Sequence, residues 1–94
     1  MSKVILEGYI LVPDCDLTAV INALDNHMRR TRLENGCIVF NVIQDETNTN
    51  RFNVYEEFSS QRAFELHQDR VRNSEWGEIT VNVERHYQFQ TAQR

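Results

Sequence analysis

The chain has 94 residues, of which 40% are hydrophobic and 26% charged, enough for one domain with a single modest core. Its 10 Lys and Arg against 14 Asp and Glu leave a net charge of −4 with His neutral, and the basic residues are scattered. This excludes the basic face that phosphate contacts require, so neither nucleic acid nor an anionic membrane surface is an expected partner. No linker-like, low-complexity or repeated segment divides the chain, and 1–94 reads as one domain.

Val4 to Val12 alternates as a strand, with Val4, Leu6, Gly8, Ile10 and Val12 on one face and Ile5, Glu7, Tyr9 and Leu11 on the other. Both faces are largely apolar, which predicts cover on both sides. Pro13 ends the strand because it has no ladder donor. The apolar run is too short, and too interrupted by Glu7, for a signal peptide or a membrane span. With no secretory signal read, Cys15 and Cys37 are expected to be reduced structural thiols in a cytoplasmic protein.

Asp14 and Asp16 offer N-cap oxygens for a helix over about 15–33. Leu17, Val20, Ile21, Leu24 and Met28 form its apolar stripe, Arg29, Arg30 and Arg32 suit its C-terminal dipole, and Asn35-Gly36 stops it. Cys37 to Gln44 is a second strand, Asp45 to Asn50 a hairpin loop, and Arg51 to Phe58 the returning strand. Phe52, Val54, Glu56 and Phe58 share one face of that third strand. Ser59 and Ser60 are cap candidates for a second helix from Gln61 to about Val71, with Ala63, Phe64, His67 and Val71 on one side. Arg72 to Gly77 reads as irregular, Thr80 to Gln90 as a fourth strand, and Thr91 to Arg94 as a loose tail.

The order βαββαβ predicts an α+β, ferredoxin-like domain: an antiparallel sheet with two helices on one face. The opposite face carries Ile5, Tyr9, Leu11, Val39 and Ile43. A contiguous apolar face of that kind marks an interaction surface, and two sheets packed face to face give a dimeric α+β barrel. A homodimer is therefore expected.

Among residues able to carry chemistry, His67 lies in the middle of the second helix on the side toward the sheet, where a neutral imidazole can act as a general base. A buried histidine satisfied by one hydrogen bond is the commoner arrangement. Glu56 places a carboxylate among apolar groups and needs a partner: His67, which it would orient, or equally Arg51 or a helix arginine. Phe64 and Trp76 are candidates for the walls of a pocket for a flat aromatic ligand, Arg72 for an anion contact, and Tyr55 for a further substrate contact. No histidine pair or Cys/His cluster has metal-ligand spacing, and no phosphate loop or nucleotide fingerprint occurs, so neither metal nor cofactor is expected. An RNA-recognition domain shares the element order, but Arg51-Phe52-Asn53-Val54-Tyr55 lacks its glycines.

Three segments carry a family resemblance. Thr31-Arg32-Leu33-Glu34-Asn35-Gly36-Cys37-Ile38-Val39-Phe40 resembles the T-R-x-E-x-G-C-x-x-F/Y run of the antibiotic biosynthesis monooxygenase family. Arg51 to Phe58 is similar to its R-F-x-x-Y-E-x-W/F strand, and Ala63-Phe64-Glu65-Leu66-His67 to its A-F-x-x-H helix. The resemblance implies a dimeric α+β barrel that oxidises quinols or anthrone-like polyketides with O2 and neither metal nor flavin. It implies His67 as base, Glu56 as its orienter, and Trp76 and Phe64 as the slot. Many relatives carry a second His five residues after the helix histidine, where Arg72 stands here. Haem-degrading relatives use an Asn on strand 1 and a Trp preceding the His; both are missing here, which disfavours haem. The family also holds small-molecule isomerases, so a hydroxy-ketone isomerase or tautomerase and a non-catalytic ligand-binding dimer stand as alternatives.

Overall fold

The computed structural model describes residues 2–93. Its elements are β1 (Ser2–Leu11), a 3-10 turn (Asp14–Asp16), α1 (Leu17–Arg32), β2 (Cys37–Gln44), β3 (Arg51–Phe58), α2 (Gln61–Arg72), α3 (Glu75–Ile79) and β4 (Glu84–Gln93). The four strands form one antiparallel sheet in the order β2-β3-β1-β4, the ferredoxin-like α+β arrangement expected from the sequence.

Alternation sorts the side chains as the strand patterns require. Val4, Leu6, Ile10 and Val12 of the β1 segment, Phe40 and Val42 of β2, and Phe52, Val54 and Phe58 of β3 are buried together. Across the β1–β3 ladder Val4 faces Phe58, Leu6 faces Glu56 and Ile10 faces Phe52. The helices cover this inner face, adding Val20 of α1 and Phe64 of α2 to the core, with Leu17, Leu24 and Met28 at its margin. Phe52 and Phe58 are each 1% exposed, and burial of one such side chain contributes about 1.5–3 kcal/mol.

Local chemistry sets the element ends. The α1 helix begins after the 3-10 turn, and Asp16 makes no side-chain cap bond, so the aspartate cap expected there is not formed. At its other end Arg32 donates to the Phe40 carbonyl at 3.0 Å and to Asn41 Oδ1 at 3.1 Å, pinning α1 to β2. Ser60 caps α2 through a bond from the Ala63 N–H. Gly36, at φ +94°, lets the turn after α1 press on α2: a Cβ there would lie 2.6 Å from that of Ala63. Gly8 does the same inside the sheet, at φ +150°, where a Cβ would sit 1.9 Å from the His86 carbonyl oxygen.

Three expectations are corrected after α2. The segment read as irregular runs into α3, capped by Ser74 through a bond from the Gly77 N–H. Five residues are too few for helical periodicity to show. The fourth strand begins at Glu84, not Thr80, because Thr80 ends α3 and its hydroxyl donates to the Trp76 carbonyl at 2.6 Å. Val81 and Val83 alternate in a turn, one 71% exposed and the other buried. Nor is the tail loose through Gln93, since Thr91 pairs with Val4; Arg94 lies outside the described residues.

On the outer face Ile5, Tyr9, Leu11 and Val39 are half-buried and Ile43 is 64% exposed. Tyr9 stacks on His86, and the Arg51 guanidinium lies over the Tyr9 ring, 3.8 Å from its centroid. No helix among the described residues is long and apolar enough to cross a membrane.

Candidate active site

The inner face of the sheet and the three helices enclose a cavity of about 120 Å³. Apolar side chains, among them Leu6, Ile10, Phe40 and Val54, share its wall about equally with polar ones, of which His27, Glu56 and His67, with Trp76, supply the chemistry. His67 and Glu56 are 4% and 8% exposed, whereas Gln68 and Arg85, at the rim, are exposed. Helical spacing turns His67 inward one turn after Phe64, and strand alternation turns Glu56 inward between Val54 and Phe58.

His67 is held from behind. Its Nδ1 lies 2.9 Å from Glu34 Oε1. A carboxylate only accepts, so Nδ1 carries the hydrogen and Nε2 keeps its lone pair. Glu34 is itself fixed by the Arg70 Nε, while the Arg70 Nη2 donates to the buried Thr31 hydroxyl at 3.0 Å. Phe40 and Phe58 flank the imidazole at 5.5 and 4.9 Å between ring centroids. Nε2 lies 4.0 Å from Glu56 Oε1, across a gap too long for a direct hydrogen bond.

Burial governs protonation here. It lowers the His67 pKa, an effect that Glu34 opposes by attraction and hydrogen bonding. The same burial, with repulsion from Glu34, raises Glu56 to about 8. Near neutral pH the cavity thus holds an uncharged base and an uncharged acid side by side. Burial and the neighbouring His67 and Arg70 lower His27 to about 3, and its neutral ring stacks on Trp76 at 4.3 Å with 4° between planes. Tyr87, also on the wall, is raised to about 12 by burial of its phenol and by Glu56.

The structure brings three of the sequence candidates together: His67, Glu56 and Trp76. The others lie elsewhere. Phe64 packs on Phe58 and Phe89 in the core. Arg72 is paired with Asp69 at 2.8 Å in an exposed groove that adjoins the cavity rim at Gln68 and Arg85. Tyr55 alternates to the outer face and donates to Glu57 at 2.5 Å. The orienter of His67 is Glu34, where Glu56 was expected, and His27, Arg70 and Arg85 were passed over. Their signals were weak: Glu34 is 33 residues from His67 in a turn, and His27 borders the α1 stripe without belonging to it. Among the described residues no group of three or more His, Cys, Asp or Glu is placed to hold a metal ion.

A family model for antibiotic biosynthesis monooxygenase matches residues 4–79. The chain belongs to the antibiotic biosynthesis monooxygenase family. No curated protein matches it in sequence. Among solved structures, a candidate antibiotic biosynthesis monooxygenase from Nitrosomonas europaea superposes with TM-score 0.75 at 16% identity, covering 97% of this chain and 88% of that one. A conserved protein from Bacteroides thetaiotaomicron, described as a candidate oxidoreductase, gives 0.75 at 17% identity, covering 97% and 96%. A candidate family member from Deinococcus radiodurans gives 0.70 at 18%, covering 97% and 91%. At these identities the likeness establishes a shared fold. In this family fold, His67, Glu56 and Trp76 line one cavity, and Glu34 holds His67 from behind it.

Proposed function

We propose that the chain is a cofactor-independent monooxygenase that oxidises quinol-like or polycyclic phenolic molecules with O2, as a cytoplasmic homodimer. The observation that carries this reading is the His67 imidazole, anchored at Nδ1 by Glu34 and free at Nε2 inside a buried cavity. In such a cavity Nε2 takes the proton of a substrate hydroxyl. The resulting anion is rich enough in electrons to pass one to O2; superoxide and the substrate radical then join through a new C–O bond. Loss of water from the hydroperoxide leaves a hydroxyquinone, so quinol plus O2 yields hydroxyquinone plus one water. The protonated Glu56 donates a hydrogen bond to the oxyanion or to the departing oxygen, and the apolar side chains of the wall keep bulk water from the radical pair.

Oxygen uptake by metal-free protein supplied with a single-ring quinol, a menadiol-type quinol and an anthrone tests this, with His67→Ala beside the wild type. Uptake well above autoxidation, reduced about 10²–10⁴-fold in the variant, is the expected result. Uptake no greater than autoxidation with all three compounds overturns it.

One geometric fact favours a second reading. An uncharged base 4.0 Å from an uncharged acid is also suited to moving a proton between carbon and oxygen. A small hydroxy-ketone isomerase would use His67 and Glu56 in that way and turn over in the absence of O2.

A further inference from the structure

We propose, building on the quinol reading of this cavity, that its substrate is a single-ring quinol bearing an anionic substituent, with the ring inside and the anion on Arg85 at the rim. The size limit comes first. An apolar cavity of about 150 Å³ accommodates one benzene ring. The present cavity, at about 120 Å³, has room for one ring and not for three fused ones.

Charge supplies the second half. Arg85 is held in place by bonds from its Nη2 to the carbonyl and hydroxyl oxygens of Thr80, at 3.2 and 3.3 Å. Neither acceptor is charged, and no carboxylate among the described residues pairs with Arg85. The arginines of α2 differ: Arg70 is bound to Glu34 and Arg72 to Asp69. Glu56, the acid that lines the cavity, is raised to about 8 by burial and is mostly uncharged at neutral pH, so it does little to offset the guanidinium.

Depth then fixes the orientation. Glu56 and His67 are buried, while Gln68 and Arg85 are exposed at the opening. A ring whose hydroxyl meets His67 Nε2 therefore directs its far substituent toward the guanidinium. A carboxylate there gains a charge-assisted hydrogen bond in a partly desolvated place.

Anaerobic titration calorimetry separates this inference from the oxidation reading. The probes are 1,4-dihydroxybenzene, 2,5-dihydroxybenzoate and anthrahydroquinone-2-sulfonate, with wild type, Arg85→Gln and Arg85→Lys. The wild type is expected to bind the benzoate at least about tenfold more tightly than the neutral ring. Arg85→Gln should lose that preference, Arg85→Lys should retain most of it, and the three-ring sulfonate should bind worst. Equal affinity for the two single rings, tightest binding of the sulfonate, or no binding of any probe overturns the inference. Should Arg85→Gln fold poorly, the wild-type comparison and Arg85→Lys still decide. Anion-selective binding with no oxygen uptake retains the ligand class and removes the monooxygenase; uptake without anion preference does the reverse.

Discussion

Glu34, in the turn that leaves α1, accepts a hydrogen bond from Nδ1 of His67 on α2 at 2.9 Å. This contact joins two parts of the chain through a buried imidazole and fixes which of its nitrogens faces the cavity. Arg70 completes the arrangement by holding Glu34 and Thr31 together, so the end of α1 and the middle of α2 are set by the same charges that set the base.

Glu34→Gln should reduce turnover and move the acid limb of the kcat/KM profile to lower pH. Its carboxylate opposes the burial that lowers His67, and removing the charge leaves burial unopposed. Losing the pairing with Arg70 should also cost about 1–3 kcal/mol of stability. A pH–rate profile checks the first and denaturant unfolding the second; an unmoved acid limb would show that His67 is not the titrating base.

Stability should peak near pH 6.5. Glu56 titrates from 4.5 when unfolded to about 8 when folded, so the folded state binds more protons and stability falls as pH rises from 4.5 to 8. His27, lowered from 6.5 to about 3, and His67, also lowered from 6.5, act oppositely: their contribution is full above 6.5 and lost as pH falls through the folded values. The histidines dominate below 6.5 and Glu56 above it. Unfolding midpoints of Glu56→Gln across pH 5–9 should lack the decline above 6.5, whereas a decline like the wild type's would place its origin elsewhere.

Gly8→Ala should destabilise the fold by about 3 kcal/mol or more, the range of severe backbone strain and steric overlap. The new methyl meets the β4 backbone at the His86 carbonyl, which no rotamer change relieves. Thermal unfolding measures this, and hydrogen exchange should show β4 opening first; wild-type behaviour in both would mean that the two strands separate there at little cost.

Light scattering should give twice the 11.1 kDa chain mass if the outer face is covered by a second copy. Ile5→Arg, central on that face, should return the mass to that of one chain while leaving the inner-face core intact. A wild type that scatters as a monomer removes the homodimer from the proposal.

Strand faces were legible because period-2 alternation is decided locally: Phe52, Val54, Glu56 and Phe58 point inward together, as their spacing requires. The α2 stripe put Phe64 and His67 inside for the same reason at period 3.6. Local rules failed where a tertiary contact decides. Ile21 belongs to the apolar stripe of α1 yet is 46% exposed, while His27 and Thr31 are buried because Trp76, Phe40 and Arg70 lie against that face. Glu34 likewise shows nothing in its own neighbourhood of the histidine it meets, because the contact exists only once α2 has folded back over the turn. The family resemblance reached the fold and His67 and included Glu34 as the acid of its T-R-x-E-x-G-C run, but it gave that carboxylate no role.

The stacking of Trp76 on His27 has an optical consequence. Trp76 is the sole tryptophan of the sequence, and its indole lies flat against an imidazole that stays uncharged down to about pH 3. A charged imidazole drains the excited state of an indole in contact with it; a neutral one does so far less. The intrinsic emission of this protein should therefore hold steady through the neutral and mildly acidic range. Any change of brightness on adding a non-absorbing ligand would then come from the cavity wall itself, so the molecule contains its own indicator of occupancy.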